Sequence, residues 1–172
     1  MKRIGVISDT HSYLDPNIFE WFEDCAEIWH AGDFGDAAVA QQLAEFRPLK
    51  GVYGNIDDER IRHMFPLDNR FQCEDVDVWI THIGGHPGKY DRRISATLKT
   101  VPPQLFITGH SHIFNAQRDP KHANLLYLNP GAAGRHGFHQ MRTIMVVELD
   151  AGKIVRAQGI ELGPRTATAP RR

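Results

Sequence analysis

Apolar runs and amphipathic stretches alternate over the first two thirds of the chain, and the pattern changes after residue 112. Residues 3–8, rich in Ile and Val, have the length and composition of a buried strand that ends at Asp9. Between Asp15-Pro16 and about Cys25, Ile18, Phe19 and Phe22 recur at helical spacing, with Pro16 suited to a first turn. Residues 27–31 predict a second strand running into Gly32-Asp33, and residues 36–46 a helix with Val39, Leu43 and Phe46 on one face, stopped by Pro48. A third strand, 49–53, ends in Gly54-Asn55-Ile56-Asp57, and a short helix is expected over 58–65. Strands at about 70–74 and 76–81, joined by an acidic turn, lead to Thr81-His82. Gly84-Gly85-His86-Pro87-Gly88 reads as a loop, and residues 91–100 as a helix carrying Ile94 and Leu98 four apart. Residues 104–108 then form the strand that delivers Gly109-His110-Ser111-His112.

Beyond this point the extended candidates 113–118, 124–128, 143–149 and 153–160 follow one another with turns such as Asn129-Pro130-Gly131 and Asp150-Ala151-Gly152-Lys153 between them. Alternating strand and helix followed mostly by strand predicts an α/β protein of two packed sheets with helices outside, a layered sandwich rather than a simple doubly wound sheet. A single domain over 1–163 and a disordered tail over 164–172 are expected, since the tail lacks apolar bulk.

Charge changes the picture by what it excludes. A formal net charge of -1 gives no overall attraction for nucleic acid or an anionic membrane, so stable nucleic-acid binding is not expected and phosphate specificity has to be built locally. No run approaches the ~18 apolar residues of a membrane span, and the start is too short in apolar residues for a signal peptide, so a cytoplasmic location without membrane contact is expected. Cys25 and Cys73 lack the spacing of a disulfide framework or a thiolate zinc site.

Ten histidines are many for 172 residues, and their placement matters more than their number. Five predicted strands end in polar residues of one kind: Asp9 with His11, Asp33, Asn55, His82, and His110 with His112. Ligands of open α/β sheets bind beyond the carboxyl ends of the strands, so these seven side chains are expected to converge. Asp33, Asn55 and His110 each follow a glycine, which permits a sharp turn and close approach. A mixed oxygen and nitrogen donor set suits transition metals better than Mg or Ca. Seven donors exceed one tetrahedral ion and suffice for two ions sharing a carboxylate, the arrangement that clamps the oxygens of a transferring phosphoryl group. Two divalent ions, two aspartates and a bridging hydroxide leave the site at about +1 in formal charge, attractive to a phosphoester anion.

In their order, Asp9-x-His11, Gly32-Asp33, Gly54-Asn55-x-Asp57, Thr81-His82 and Gly109-His110-Ser111-His112 resemble the calcineurin-like metallophosphoesterase superfamily, and within it the small single-domain phosphodiesterases of bacteria and archaea. The resemblance covers roughly residues 1–149, and Asn129-Pro130-Gly131 matches a further segment. It implies a four-layer αββα sandwich of two mixed sheets flanked by helices. It also implies one ion held by Asp9, His11, Asp33 and His112, with Asp33 bridging to a second completed by Asn55, His82 and His110. Mn is the expected metal, with Fe, Zn, Ni or Co as alternatives, and the implied reaction is hydrolysis of a small phosphodiester by metal-bound hydroxide.

Departures from the family pattern refine this. Protein phosphatases of the superfamily place a histidine after the asparagine as presumed leaving-group acid, where this chain has Ile56. They also follow the aspartate with an acid-arginine-glycine segment, whereas this chain reads Gly32-Asp33-Phe34-Gly35-Asp36-Ala37, so a protein phosphatase is not expected. Ile83 stands where glycine is usual and Ala132 where serine is common. His86, in its glycine-rich loop, is the candidate proton donor, and Asp57 is expected to orient a ligand histidine. His30 is read as buried and bonded to an acid, and His63, His122, His136 and His139 as solvated or structural. Arg92, Arg93 and Arg135 are possible phosphate contacts but read as solvated. Two other functions stay open: a phosphomonoesterase of the same fold, and a protein-interaction scaffold like the retromer subunit that shares the fold. A homo-oligomer is also left open.

Overall fold

The computed structural model describes residues 1–166. In chain order the elements are β1 (Lys2–Ile7), α1 (Asn17–Trp21), β2 (Glu27–His30), α2 (Ala37–Phe46), β3 (Leu49–Gly51), α3 (Glu59–Met64), β4 (Asp68–Cys73), β5 (Val76–Thr81), β6 (Gly85–His86), β7 (Lys89–Tyr90), α4 (Arg92–Thr100), β8 (Leu105–Ile107), β9 (Asn115–Asp119), β10 (Leu125–Asn129), β11 (Met141–Asp150) and β12 (Lys153–Pro164). Two five-stranded mixed sheets result, in the orders β12-β11-β1-β2-β3 and β4-β5-β8-β10-β9. Within them β1, β2 and β3 run parallel, as do β5, β8 and β10; the antiparallel pair β11–β12 extends the first sheet beyond β1, leaving parallel β3 at its other edge, and antiparallel β4 and β9 close both edges of the second.

Alternation along each strand sorts its side chains into layers. Ile4 and Val6 of β1, Met145 and Val147 of β11, Val78 and Ile80 of β5, and Leu105 and Ile107 of β8 interdigitate between the sheets. The opposite face of the first sheet packs Ile28, Ile144 and Val146 against Ile18, Phe22, Leu43 and Ile61 of the helical layer α1–α3 and its flanks. The opposite face of the second sheet packs Trp79, Phe106 and Tyr127 against Ile94 and Leu98 of α4. The expected four-layer αββα sandwich is therefore present. Strands buried on both faces read as continuous apolar runs, which is why the sequence showed them so clearly. Each fully buried Leu or Ile contributes about 1.5–3 kcal/mol.

Three details differ from expectation. α1 stops at Trp21 instead of reaching Cys25: beyond it the hydrogen bonds tighten to three-residue turns, Glu23 N–H to Glu20 O at 3.3 Å and Cys25 N–H to Phe22 O at 3.0 Å, and Arg47 from the end of α2 bonds the carbonyls of Glu23 and Cys25. The segment expected to be a loop contains the ribbon β6–β7, closed by Pro87-Gly88 with Gly88 at φ 94°, the left-handed position that a tight turn requires after proline. Of the tail expected to be disordered from 164, Pro164 closes β12 and the Arg165 N–H bonds the Gln140 carbonyl, while residues 167–172 lie outside the described residues. No helix among the described residues is long and apolar enough to cross a membrane.

Candidate metal centre

The parallel strands of both sheets end at one edge of the sandwich, and their following loops carry the seven predicted donors. The loops after β1, β2 and β3 supply Asp9, His11, Asp33 and Asn55; those after β5 and β8 supply His82, His110 and His112. The structure brings six of them into two groups, Asp9 with His11 and His112, and Asp33 with His82 and His110, whose donor atoms lie within 4.8 Å of one another in each group. Asp33 Oδ2 stands between the groups, 3.4 Å from His11 Nε2 and 3.2 Å from His82 Nε2. His112 Nε2 lies 3.2 Å from Asp9 Oδ1. Asn55 Oδ1 lies 3.0 Å from both His82 Nε2 and His110 Nδ1.

Backbone conformation aims these side chains. Asp9, His11, Asp33, His110 and His112 all have left-handed φ, between 43° and 69°. Such conformations cost of order 1 kcal/mol or more for non-glycine residues and persist where the surrounding structure enforces them. Gly54 and Gly109 are required by close approach: a Cβ on Gly54 would run into Asp33 Oδ1, and one on Gly109 into Ser8 Oγ. The Asn129 amide locks the histidine loop by donating to Gly109 O at 3.0 Å and Ser111 Oγ at 3.1 Å.

The surroundings leave specific lone pairs free. Asp9 Oδ2 accepts from Ser8 Oγ at 2.6 Å and from the His110 N–H at 3.1 Å, while Asp9 Oδ1 is buried without a hydrogen-bond partner among the described residues. His11 Nε2 is likewise buried without one. His82 Nδ1 donates to Ala31 O at 2.7 Å, so its Nε2 is the atom presented to the centre. Buried polar atoms normally have partners. Orphaned carboxylate and imidazole atoms converging from several loops fit a cation between them, and the donor types fit a transition metal.

Charge is balanced within the cluster. Burial lowers the His11 pKa, opposed by Asp33 and Asp9, and burial together with His82 lowers that of His110. Burial also works against charged His82, but its hydrogen bond to Asp33 and the charges of Asp9 and Asp33 prevail and hold its value above the ordinary one. Burial would raise Asp33, yet His82, the Ile56 N–H and His11 bring it below the usual carboxylate range. The site thus favours ionised carboxylate, and a metal competes with the His82 proton for the same lone pair.

Asp57 does something other than expected. Its carboxylate touches no ligand histidine; it accepts the backbone N–H groups of Asp33 at 3.0 Å, Gly54 at 2.8 Å and Gly35 at 2.9 Å, tying the loops after β2 and β3 together. Burial, with the nearby Asp33 charge, leaves its pKa above the usual range despite these donors. His30 is buried as expected, but its partners are the Gly32 N–H, donating to Nδ1 at 3.0 Å, and Thr10 Oγ1, 3.1 Å from Nε2, instead of an acid. Burial drives its pKa down to about 3, so it is a neutral strut stacked 3.6 Å from Phe34.

His136, read from sequence as solvated or structural, packs against His11 with ring centroids 4.7 Å apart and the planes tilted by 30°, and lines the metal cleft. Loop spacing held no signal for it, since it reaches the site from the far end of the chain. His139 also lines this cleft and donates through Nε2 to Gly134 O at 2.8 Å. His86 is exposed on the ribbon and lines an adjoining cavity of about 670 Å³ that shares His110 and Ser111 with the cleft; Arg92 is there too. Arg93 is bound to Asp68 and Thr81, and Arg135 lies over the Tyr13 ring. His122 pairs with Asp119, and Ala132 is fully buried and brings no hydroxyl.

Residues 1–152 match the family model described as the calcineurin-like phosphoesterase superfamily domain. A curated protein of Methanothermobacter thermautotrophicus described as a probable metallophosphoesterase is 28% identical over 160 residues, covering 88% of each chain. A solved structure described as a novel archaeal phosphodiesterase is similar with TM-score 0.73 at 24% identity, covering 93% of this chain and 99% of that one. Vps29 from Chaetomium thermophilum gives 0.72 at 16% identity, covering 95% and 100%. At these identities the two structures show the shared fold.

Proposed function

The chain belongs to the calcineurin-like phosphoesterase superfamily, a family of metal-binding hydrolases of phosphoesters, and from that premise we propose that it is a two-metal phosphodiesterase acting on small substrates. The observation that carries this reading is Asp33 Oδ2, placed within 3.4 Å of a histidine of each donor group. Asp9, His11, Asp33 and His112 would hold one ion; Asp33, Asn55, His82 and His110 would hold the other. Mn suits this oxygen and nitrogen set, as do Fe, Zn, Ni and Co. Bound there, divalent ions supply Lewis-acid polarisation of phosphoryl oxygens and lower the pKa of water.

The chain's own residues decide which esters are favoured. Ile56 occupies the position next to Asn55 and has no proton to give a leaving alkoxide. Diesters with good leaving groups, aryl or otherwise activated, are therefore the preferred substrates, and diester hydrolysis is also the activity by which the archaeal fold neighbour is described. His86 lines the cavity beyond His110 and serves as proton donor for groups leaving on that side.

The test is metal analysis of the purified protein together with side-by-side kinetics on aryl diester and aryl monoester, with and without Mn. Two metals per chain and faster diester turnover are expected. Equal or faster monoester turnover would make it a phosphomonoesterase, and metal-free protein without turnover under any loading would leave the scaffold reading.

A further inference from the structure

Three of the proposed ligands are followed directly by an exposed isoleucine. Ile56 follows Asn55, Ile83 follows His82 and Ile113 follows His112, and they are 45%, 38% and 66% exposed. The turn that aims one side chain at the metal centre sends the next outward. Phe138, 100% exposed, joins them from the loop between β10 and β11. Ile56, Ile113 and Phe138 line the same cleft of about 480 Å³ as His11, His110 and His112, and Ile83 and Ile113 line the cavity beside it. Isolated apolar side chains on a surface are ordinary. Several placed around the mouth of one polar cleft are a binding feature, because they make its upper walls unsuited to charge while the floor attracts an anion.

The walls also have a shape. The His136 ring, packed against His11 at an interplanar angle of 30°, and the Phe138 ring both line the cleft. Rings favour stacked and edge-on partners of their own kind. A cavity of about 150 Å³ holds a benzene ring, so the cleft of about 480 Å³ accommodates one ring above a phosphate. We propose that Ile56, Ile83, Ile113 and Phe138 form a subsite for a planar aromatic ester group, which makes aryl phosphodiesters the substrate class of this site by binding as well as by leaving-group chemistry. This rests on the phosphodiesterase reading above. It gives Ile56 a positive role: the side chain that donates no proton contributes apolar contact.

The test compares binding of diphenyl phosphate and dimethyl phosphate to the Mn-supplemented protein by calorimetry. Diphenyl phosphate is expected to bind about tenfold or more tightly. Phe138→Ala and Ile113→Ala, both at exposed positions that leave the core intact, are each expected to cut that preference severalfold, whereas Val155→Ala, exposed on β12 away from the cleft, leaves it as in the wild type. Equal binding of the two diesters by the wild type, or a preference untouched in both cleft variants, overturns the subsite. So does a change of oligomeric state in Phe138→Ala, measured by sedimentation, with the preference retained, since the rim is then a contact between copies. Preference for diphenyl phosphate without cleavage of any diester would keep the subsite and reject the phosphodiesterase reading.

Discussion

The two sheets bring unlike chemistry to the metal centre. The first sheet, through the loops after β1, β2 and β3, supplies both carboxylates, the asparagine and one histidine; the second, through the loops after β5 and β8, supplies histidines alone. Each donor group draws on both sheets, so neither is assembled until the sheets have packed. Their braces differ as well. Asp57 holds the first sheet's loops through three backbone N–H groups, and Asn129 holds the second sheet's histidine loop through its amide. The side that carries negative charge is braced by another buried carboxylate, which ties the anionic loops through backbone dipoles. The side that offers lone pairs is braced by a neutral group.

Removing a donor from either sheet tests whether the two sides act as one centre. Asp33→Ala and His110→Ala are each expected to lose metal uptake and about a thousandfold or more in activity, since several kcal/mol of charge stabilisation go with the ions. Full metal-dependent turnover in either variant would falsify the ligand assignment. The braces should separate the sides more gently. Asp57→Ala is expected to cost about 10–100-fold in metal affinity, read by titration with Mn, and Asn129→Ala less than that, because only the histidine loop loosens. The reverse order would show that the histidine loop, rather than the carboxylate loops, limits assembly.

A gain of function sharpens the contrast at the rim. Ile56→His places an acid on the first sheet's side and is expected to raise alkyl diester turnover about tenfold while weakening the binding of aryl esters, which lose the apolar contact of Ile56; no gain on alkyl diesters would mean that position 56 does not reach the leaving group. The smallest effect concerns the anchoring of the loop after β1, where Asp15 pairs with Arg142 of β11 at 2.6 Å within the buried interior. Burial opposes the Asp15 charge, but Arg142 and the Asn17 N–H hold its pKa below the usual carboxylate value. A depressed folded value means that this contribution is present above the unfolded value of about 3.9 and fades as pH falls through the folded one. Asp15→Asn is therefore expected to cost about 1–2 kcal/mol at neutral pH, and the difference from wild type to shrink below about pH 4 in chemical denaturation. A difference that grew on acidification would reverse the assignment.

Much of this was legible in the sequence because it depends on local pattern. Buried parallel strands read as apolar runs, and Asp9, Asp33, Asn55, His82 and His110 announce themselves by closing such runs. The β6–β7 ribbon hid because glycine and proline mark both loops and tight hairpins. Asp57 stands out in the sequence, but besides the nearby Gly54 its partners are the N–H groups of Asp33 and Gly35, more than 20 residues away, which no spacing rule connects. His136 carries no comparable signal, since no apolar run leads into it in the sequence.

The sequence by itself determined which residues sit at strand ends, hence the layered fold and the donor set, since hydrophobic periodicity and chain reversal are encoded within a few residues. Tertiary packing alone decided how those ends face one another: that Asp33 stands between two histidine groups, that Asp57 locks loops instead of a histidine, and that Ile56 and Ile113 share one cleft with Phe138. Those relations join residues far apart in the chain, and only the stacking of two sheets at a common edge fixes their distances.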